Sequence, residues 1–281
     1  MNKILQIEKT LEVICNCWDE SEKTLQLTIE DQFPGKGEVF ITEYFHGLFK
    51  KSLENASKEK RIENAFIQDL KAASPHSYEW LNTSRRIANG LIAEVTLHSP
   101  TTETKTGGDL GLVISRPRLS LQNTYSPDAE LFVAKDFRRG LLTQAKLRND
   151  RAKWGEFTDT QKEKLPNHLN YLALLLYRYK DQNRRSFEKF KWQLCAGIPF
   201  SIIEEWLKTD TMPNLIDSYQ ILKKLGTGEI GTDDEHIIKD VICPLENQTL
   251  IIHIRWPNGD PPMSRVRVHT KHEMMAKPLY Q

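Results

Sequence analysis

Asp109 heads an apolar run in TKTGGDLGLVIS (residues 104–115), and 35 positions later Gln144, Ala145 and Lys146 close a second apolar run, GLLTQAK. Residues two apart on a strand project from one face, so Gln144 and Lys146 share a side and Ala145 turns into the core. If the two runs are neighbouring strands, a carboxylate, an amide oxygen and an ammonium meet around one point. That set suits metal-assisted cleavage of a phosphodiester. A hard cation such as Mg2+ or Mn2+ takes oxygen ligands and keeps several waters. Asp109 binds the ion, and the Gln144 amide or the Ala145 backbone carbonyl supplies a further oxygen. Lys146 orients the attacking water and offsets transition-state charge. Gly107 and Gly108 permit a sharp entry and a close approach of the backbone to phosphate.

These residues need a sheet to hold them, and the surrounding pattern predicts one. GLIAEVTLHS (90–99) alternates as a strand. LGLVIS and GLLTQAK read as two strands joined by a long polar segment, 116–139. Helical spacing of Phe40, Ile41, Tyr44, Phe45, Leu48 and Phe49 marks a helix from Glu38, and a second helix is expected over 59–72. The first thirty residues read as an amphipathic helix followed by a short strand, KTLQLTI. The apolar face of Leu165 to Tyr179 returns to helical period, with Pro166 in its first turn. FEKFKWQLCAG reads as a strand and PFSIIEEWLKT as a helix. TLIIHIRW and SRVRVHT flank PNGDPPM, a strand–turn–strand signal. Interleaved helices and strands predict an α/β layered fold with a central mixed sheet. The expected division is an extension over 1–37, an α/β core over 38–207, and a peripheral helical segment with a C-terminal hairpin over 208–281.

TGGDLGLVI followed by a strand ending LLTQAK resembles the PD-(D/E)xK nuclease superfamily, whose fold is the three-layer, restriction-endonuclease-like one. Its members carry an Asp at the start of one strand and Glu-x-Lys or Gln-x-Lys on the next. Asp109, Gln144 and Lys146 match that pattern across roughly residues 38–180. The resemblance implies a metal-dependent endonuclease acting on DNA, in restriction, phage defence or repair. Gln144 stands where many members have an acid, and a neutral amide holds a doubly charged ion less well than a carboxylate. A second acid is therefore expected from a preceding helix. Glu43, in FITEYFHGLF, is the choice, since an unpaired carboxylate on a core-facing helix is costly. Glu38, Glu63, Glu94 and Glu103 are rivals.

Charge supports a local nucleic-acid surface and not a global one. The chain of 281 residues has 27% charged residues and a net charge of only +1. Between 135 and 153, seven cations, among them Arg138, Arg139, Arg148, Arg151 and Lys153, face two acids. This stretch brackets the site and is expected to track phosphates. Arg265 and Arg267 share a strand face and are further candidates. Four cysteines form no dense framework, and Cys15 and Cys17 have no second pair at zinc-finger spacing. The apolar run YLALLLY is too short to span a bilayer, and the first residues show no signal-peptide pattern. A cytoplasmic protein is expected, as a homodimer or working with a helicase or NTPase subunit. The alternative is a catalytically inactive nuclease-fold module that binds nucleic acid or scaffolds a larger complex.

Overall fold

In the computed structural model, β3 (Leu110–Gln122) and β4 (Ala129–Arg148) form a long antiparallel pair that runs from Leu110↔Thr143 to Gln122↔Glu130. The structure describes residues 3–33, 37–73, 85, 87–98, 108–122, 129–148, 154–180, 188–242, 248–256 and 265–268. Much of the expected polar connection 116–139 is thus strand. Its backbone groups are paired on further sides as well. β1 (Lys3–Ile4) adds to the far end of β3, and β9 (Arg265–Val268) adds to the far end of β4.

The sheet widens around the near ends of these strands. β2 (Ile92–His98), β8 (Gln248–Arg255), β3, β4, β5 (Leu172–Arg178), β6 (Lys191–Leu194) and β7 (Ile216–Asp217) follow in that spatial order. β8 runs parallel to β3, and β5 parallel to β4; the other neighbours on this path are antiparallel. Two expectations are corrected here. The apolar run from Leu172 is a strand and not a helix, because it is buried on both faces. Leu172, Leu174 and Leu176 enter one hydrophobic cluster, and Ala173, Leu175 and Tyr177 enter the other. A doubly covered parallel strand is apolar at every position, which hides its period. The C-terminal hairpin does not form either: β8 lies between β2 and β3, while β9 pairs with β4.

Helices cover both faces, which makes three layers. The first face carries α1 (Glu8–Asp31), α2 (Glu38–Lys58), α3 (Arg61–Ala73) and α6 (Ser218–Thr227). α1, inside the expected extension, shares one hydrophobic cluster with α2, α3, α6 and the sheet. It also absorbs the expected strand KTLQLTI. Leu25 and Ile29, four apart, are buried, whereas Leu27 is 62% exposed, which is helical and not alternating burial. The start of α1 is capped from α3: the Asp69 carboxylate accepts from Lys9 N (2.8 Å), Thr10 N (3.0 Å) and Thr10 Oγ1 (2.7 Å). α6 is tied to α1 through buried polar groups. Glu22 accepts from Trp18 Nε1 (2.6 Å) and from Ser218 Oγ (2.5 Å), and Trp192 Nε1 donates to the same hydroxyl (3.0 Å).

The second face carries α4 (Asp159–Lys164), a 3-10 turn over Leu165–Tyr171, α5 (Phe200–Thr209) and a π-helical stretch over Ile238–Ile242. Val113, Leu142, Leu174, Ile203, Leu207 and Ile242 form the core beneath them. Among the described residues, no helix is long and apolar enough to cross a membrane.

Candidate functional site

Asp109 immediately precedes β3, half-buried, and its N–H extends the ladder by donating to Thr143 O at 3.0 Å. That register puts its side chain against Gln144. The Gln144 amide Nε2 donates to Asp109 Oδ2, and the same carboxylate oxygen accepts from Ala145 N at 2.8 Å. Nε2 also donates to the Ala145 carbonyl at 3.1 Å. The Gln144 nitrogen therefore sits between Asp109 Oδ2 and Ala145 O, the oxygens expected to hold a cation. Gln144 is only 1% exposed, and its Oε1 is buried without a hydrogen-bond partner among the described residues.

Alternation along β4 works as expected. Ala145 packs into the first-face cluster, while Gln144 and Lys146 turn toward the second face. Lys146 is 6% exposed and held from α4 and the loop ahead of it. Its ammonium donates to Glu156 O (3.1 Å) and to Gln161 Oε1 (3.2 Å), and lies 4.7 Å from the centre of the Phe157 ring. Gln161 is also the third residue of a capping box: Thr158 N donates to Gln161 Oε1 (3.1 Å), and Gln161 N donates to Thr158 Oγ1 (3.3 Å). Sequence reasoning missed these partners, although TDTQ at 158–161 carries the box signature.

Two expectations about this site are corrected. Glu43 is exposed and does not face the core. It lies on α2, which covers the first face; its neighbour Thr42 bonds the Tyr177 hydroxyl there at 2.8 Å. The sheet separates that layer from Gln144 and Lys146. Among the described residues, no three His, Cys, Asp or Glu side chains cluster as a metal site. Of the rivals, Glu94 is paired with Arg255 at 2.7 Å, and Glu103 lies outside the described residues. Gly108, finally, is buried and turned toward Leu142: a Cβ there would lie 2.5 Å from Leu142 Cδ1. Close packing, not room for phosphate, requires glycine at this position.

The basic residues scatter. Arg138 is exposed, while its neighbour Arg139 turns to the opposite side, donates to Gly231 O (3.0 Å) and pairs with Asp233 (3.4 Å). Adjacent strand residues face opposite ways, so the two cannot form one phosphate track. Arg148 is bound to Asp210 at 2.5 Å. Arg265 and Arg267 stand across from Phe132 and Glu130, roughly 40 Å along β4 from Gln144 at the usual strand rise. Arg151 and Lys153 lie outside the described residues.

Cysteine chemistry is disfavoured here. Burial pushes the Cys195 thiol, beneath α5, up to about 12, so the thiolate is suppressed. No family model matches the chain, and no curated protein matches it significantly.

Proposed function

We infer that the chain is a metal-dependent nuclease of the restriction-endonuclease-like kind, hydrolysing phosphodiester bonds in DNA with Mg2+ or Mn2+. The observation that carries this reading is the convergence of Asp109 Oδ2 and Ala145 O on the Gln144 amide. A half-turn of that amide exchanges its two terminal atoms. Oε1, buried and without a hydrogen-bond partner among the described residues, then joins the other two oxygens around one point. Three oxygens with a single carboxylate fit a cation that takes its remaining ligands from water and substrate phosphate, the usual manner of Mg2+. Such an ion supplies Lewis-acid activation of the phosphoryl group and of a water.

The protein's own groups do the rest. Asp109 supplies the negative charge of the site, and the Ala145 carbonyl is fixed by the β4 backbone. Lys146 exchanges its hydrogen bonds to Glu156 O and Gln161 Oε1 for phosphate oxygens, bringing positive charge to the reacting group. With one acid, the cation is held weakly until the substrate phosphate arrives.

A specific observation favours a second reading, a nuclease-fold module that binds nucleic acid without cutting it. The Gln144 nitrogen already satisfies both oxygens, with no cation needed. Plasmid incubation with Mn2+ separates the two. The nuclease reading expects nicking by the wild type, lost with EDTA and reduced at least about 100-fold in Asp109→Asn and Lys146→Ala, the scale of removing one transition-state charge contact. Intact plasmid in every lane, or cleavage that survives Asp109→Asn, overturns it.

A further inference from the structure

The outer side of α2 carries residues that this chain's own contacts do not explain. Phe40, Glu43, Tyr44, Gly47, Lys50 and Lys51 recur at three- and four-residue spacing, so they share one side of the helix. Glu43, Gly47, Lys50 and Lys51 are exposed. None of the three charged side chains has an ion-pair partner among the described residues. Tyr44 is half-buried and its ring is held in place. It stacks on Phe40 with centroids 5.7 Å apart and planes 9° apart, and Phe33 meets it edge-on at 6.1 Å.

Gly47 lies inside a 21-residue helix, where glycine is less favourable than alanine or an ordinary polar residue. Nothing lies within 4 Å of the Cβ it lacks, so no contact among the described residues requires glycine there. Gly226, in α6, is different: a Cβ at that position would meet Leu11 at 2.5 Å. An exposed glycine in a helix face lets a second helix come close, because the side chains at the contact set the distance between axes.

We propose that α2 pairs with α2 of a second copy of this chain, antiparallel and crossing at Gly47. A two-fold axis at the crossing fixes which residues meet. Glu43, four residues before Gly47, and Lys50, three after it, lie toward one edge of the face, while Tyr44 and Lys51 lie toward the other. In the antiparallel pair each edge meets its own reversed image. Glu43 then faces Lys50 of the partner subunit, and Tyr44 faces Lys51 of the partner subunit, each within about 1.5 Å of equal height at the helical rise. Symmetry repeats both contacts, an ion pair and a cation–π contact, on the other half of the interface. A parallel pair exchanges the edges and sets Lys50 against Lys51 of the partner subunit, so charge selects the antiparallel arrangement. Leu27, 62% exposed on the adjoining α1, adds apolar area to the same outer layer. The pairing is independent of the nuclease reading. α2 covers the first face, whereas Gln144 and Lys146 turn toward the second, so each candidate site faces away from the partner.

Sedimentation equilibrium of the full chain over a range of concentrations tests the pairing. The wild type is expected to be a dimer in reversible exchange with monomer. Glu43→Lys and Lys50→Glu each turn both symmetry-related ion pairs into like-charge contacts, and each raises the dimer dissociation constant at least about tenfold. Mixed in equal amounts, the two variants regain opposite charges at both positions, and a mixed dimer forms with close to the wild-type constant. Gly47→Gln holds the helices apart and also weakens the dimer. It leaves the urea midpoint of the monomer no lower than that of the wild type, because glutamine is the better helix former. A wild type that stays monomeric, a constant unmoved by either charge reversal, a mixture that fails to recover the dimer, or a Gly47→Gln dimer as tight as the wild type's overturns the pairing.

Discussion

The side-chain amide of Gln144 is bonded to the carboxylate of Asp109, across the β3–β4 ladder and 35 positions away in the chain. The bond occupies the space between Asp109 Oδ2 and the Ala145 carbonyl, so substitution at Gln144 reports directly on what that space holds.

Gln144→Glu replaces the donor by a second carboxylate. Without a cation, two like charges meet at a largely buried position, and stability falls by on the order of 1–3 kcal/mol. Mn2+ neutralises the pair and restores it. Thermal unfolding in EDTA and in Mn2+ is expected to show a larger Mn2+-induced rise in Tm for the variant than for the wild type. The same increment in both proteins contradicts a cation position here.

Gly108→Ala tests the packing role of the glycine before Asp109. The new Cβ would lie 2.5 Å from Leu142 Cδ1 and 2.8 Å from its Cγ, and Leu142 is fully buried. Overpacking of this kind costs about 1–3 kcal/mol. Gly47, in α2, has nothing within 4 Å of its would-be Cβ, and Gly47→Ala is expected to stabilise by about 0.8–1 kcal/mol through helix propensity. Urea midpoints moving in opposite directions would bear this out; a neutral Gly108→Ala would not.

Glu22 makes stability depend on pH. Burial raises its carboxyl from 4.5 to about 7, against the opposing pull of its bonds to Ser218 and Trp18. Between those two values, the folded state holds a proton that the unfolded chain has lost. Stability is therefore greatest below about 4.5, falls as pH rises through 7, and levels off above. The loss is on the order of 3 kcal/mol. Glu22→Gln removes this group's share of the slope. Urea unfolding at several pH values checks it, and parallel profiles for variant and wild type would refute the assignment.

Asp69→Ala leaves Lys9 N and Thr10 N at the start of α1 without their acceptor. The expected cost is about 1–3 kcal/mol. Faster hydrogen exchange confined to the first turn of α1 distinguishes loss of a cap from general destabilisation.

The meeting of Asp109 with Gln144, and the face that Gln144 shares with Lys146, were legible in the sequence because strand geometry is local. A period of two dictates that Gln144 and Lys146 share a face, and an apolar run after Asp109 dictates a strand whose mouth that residue occupies. Helices with an exposed side, such as α2 and α5, were legible for the same reason: their burial repeats with the helical period. Leu172 to Tyr177 was misread because burial on both faces erases periodicity, leaving length and neighbours to decide between strand and helix. The TDTQ box was present in the sequence, but its meeting with Lys146 was not.

Local sequence thus determined which side chains project together from each strand, since that follows from backbone geometry over a few residues. Tertiary structure alone decided that Glu43 stands across the sheet from Lys146 and that β8 inserts between β2 and β3. These are relations between segments far apart in the chain. They are set by which apolar faces cover one another, and no spacing within a single segment encodes them.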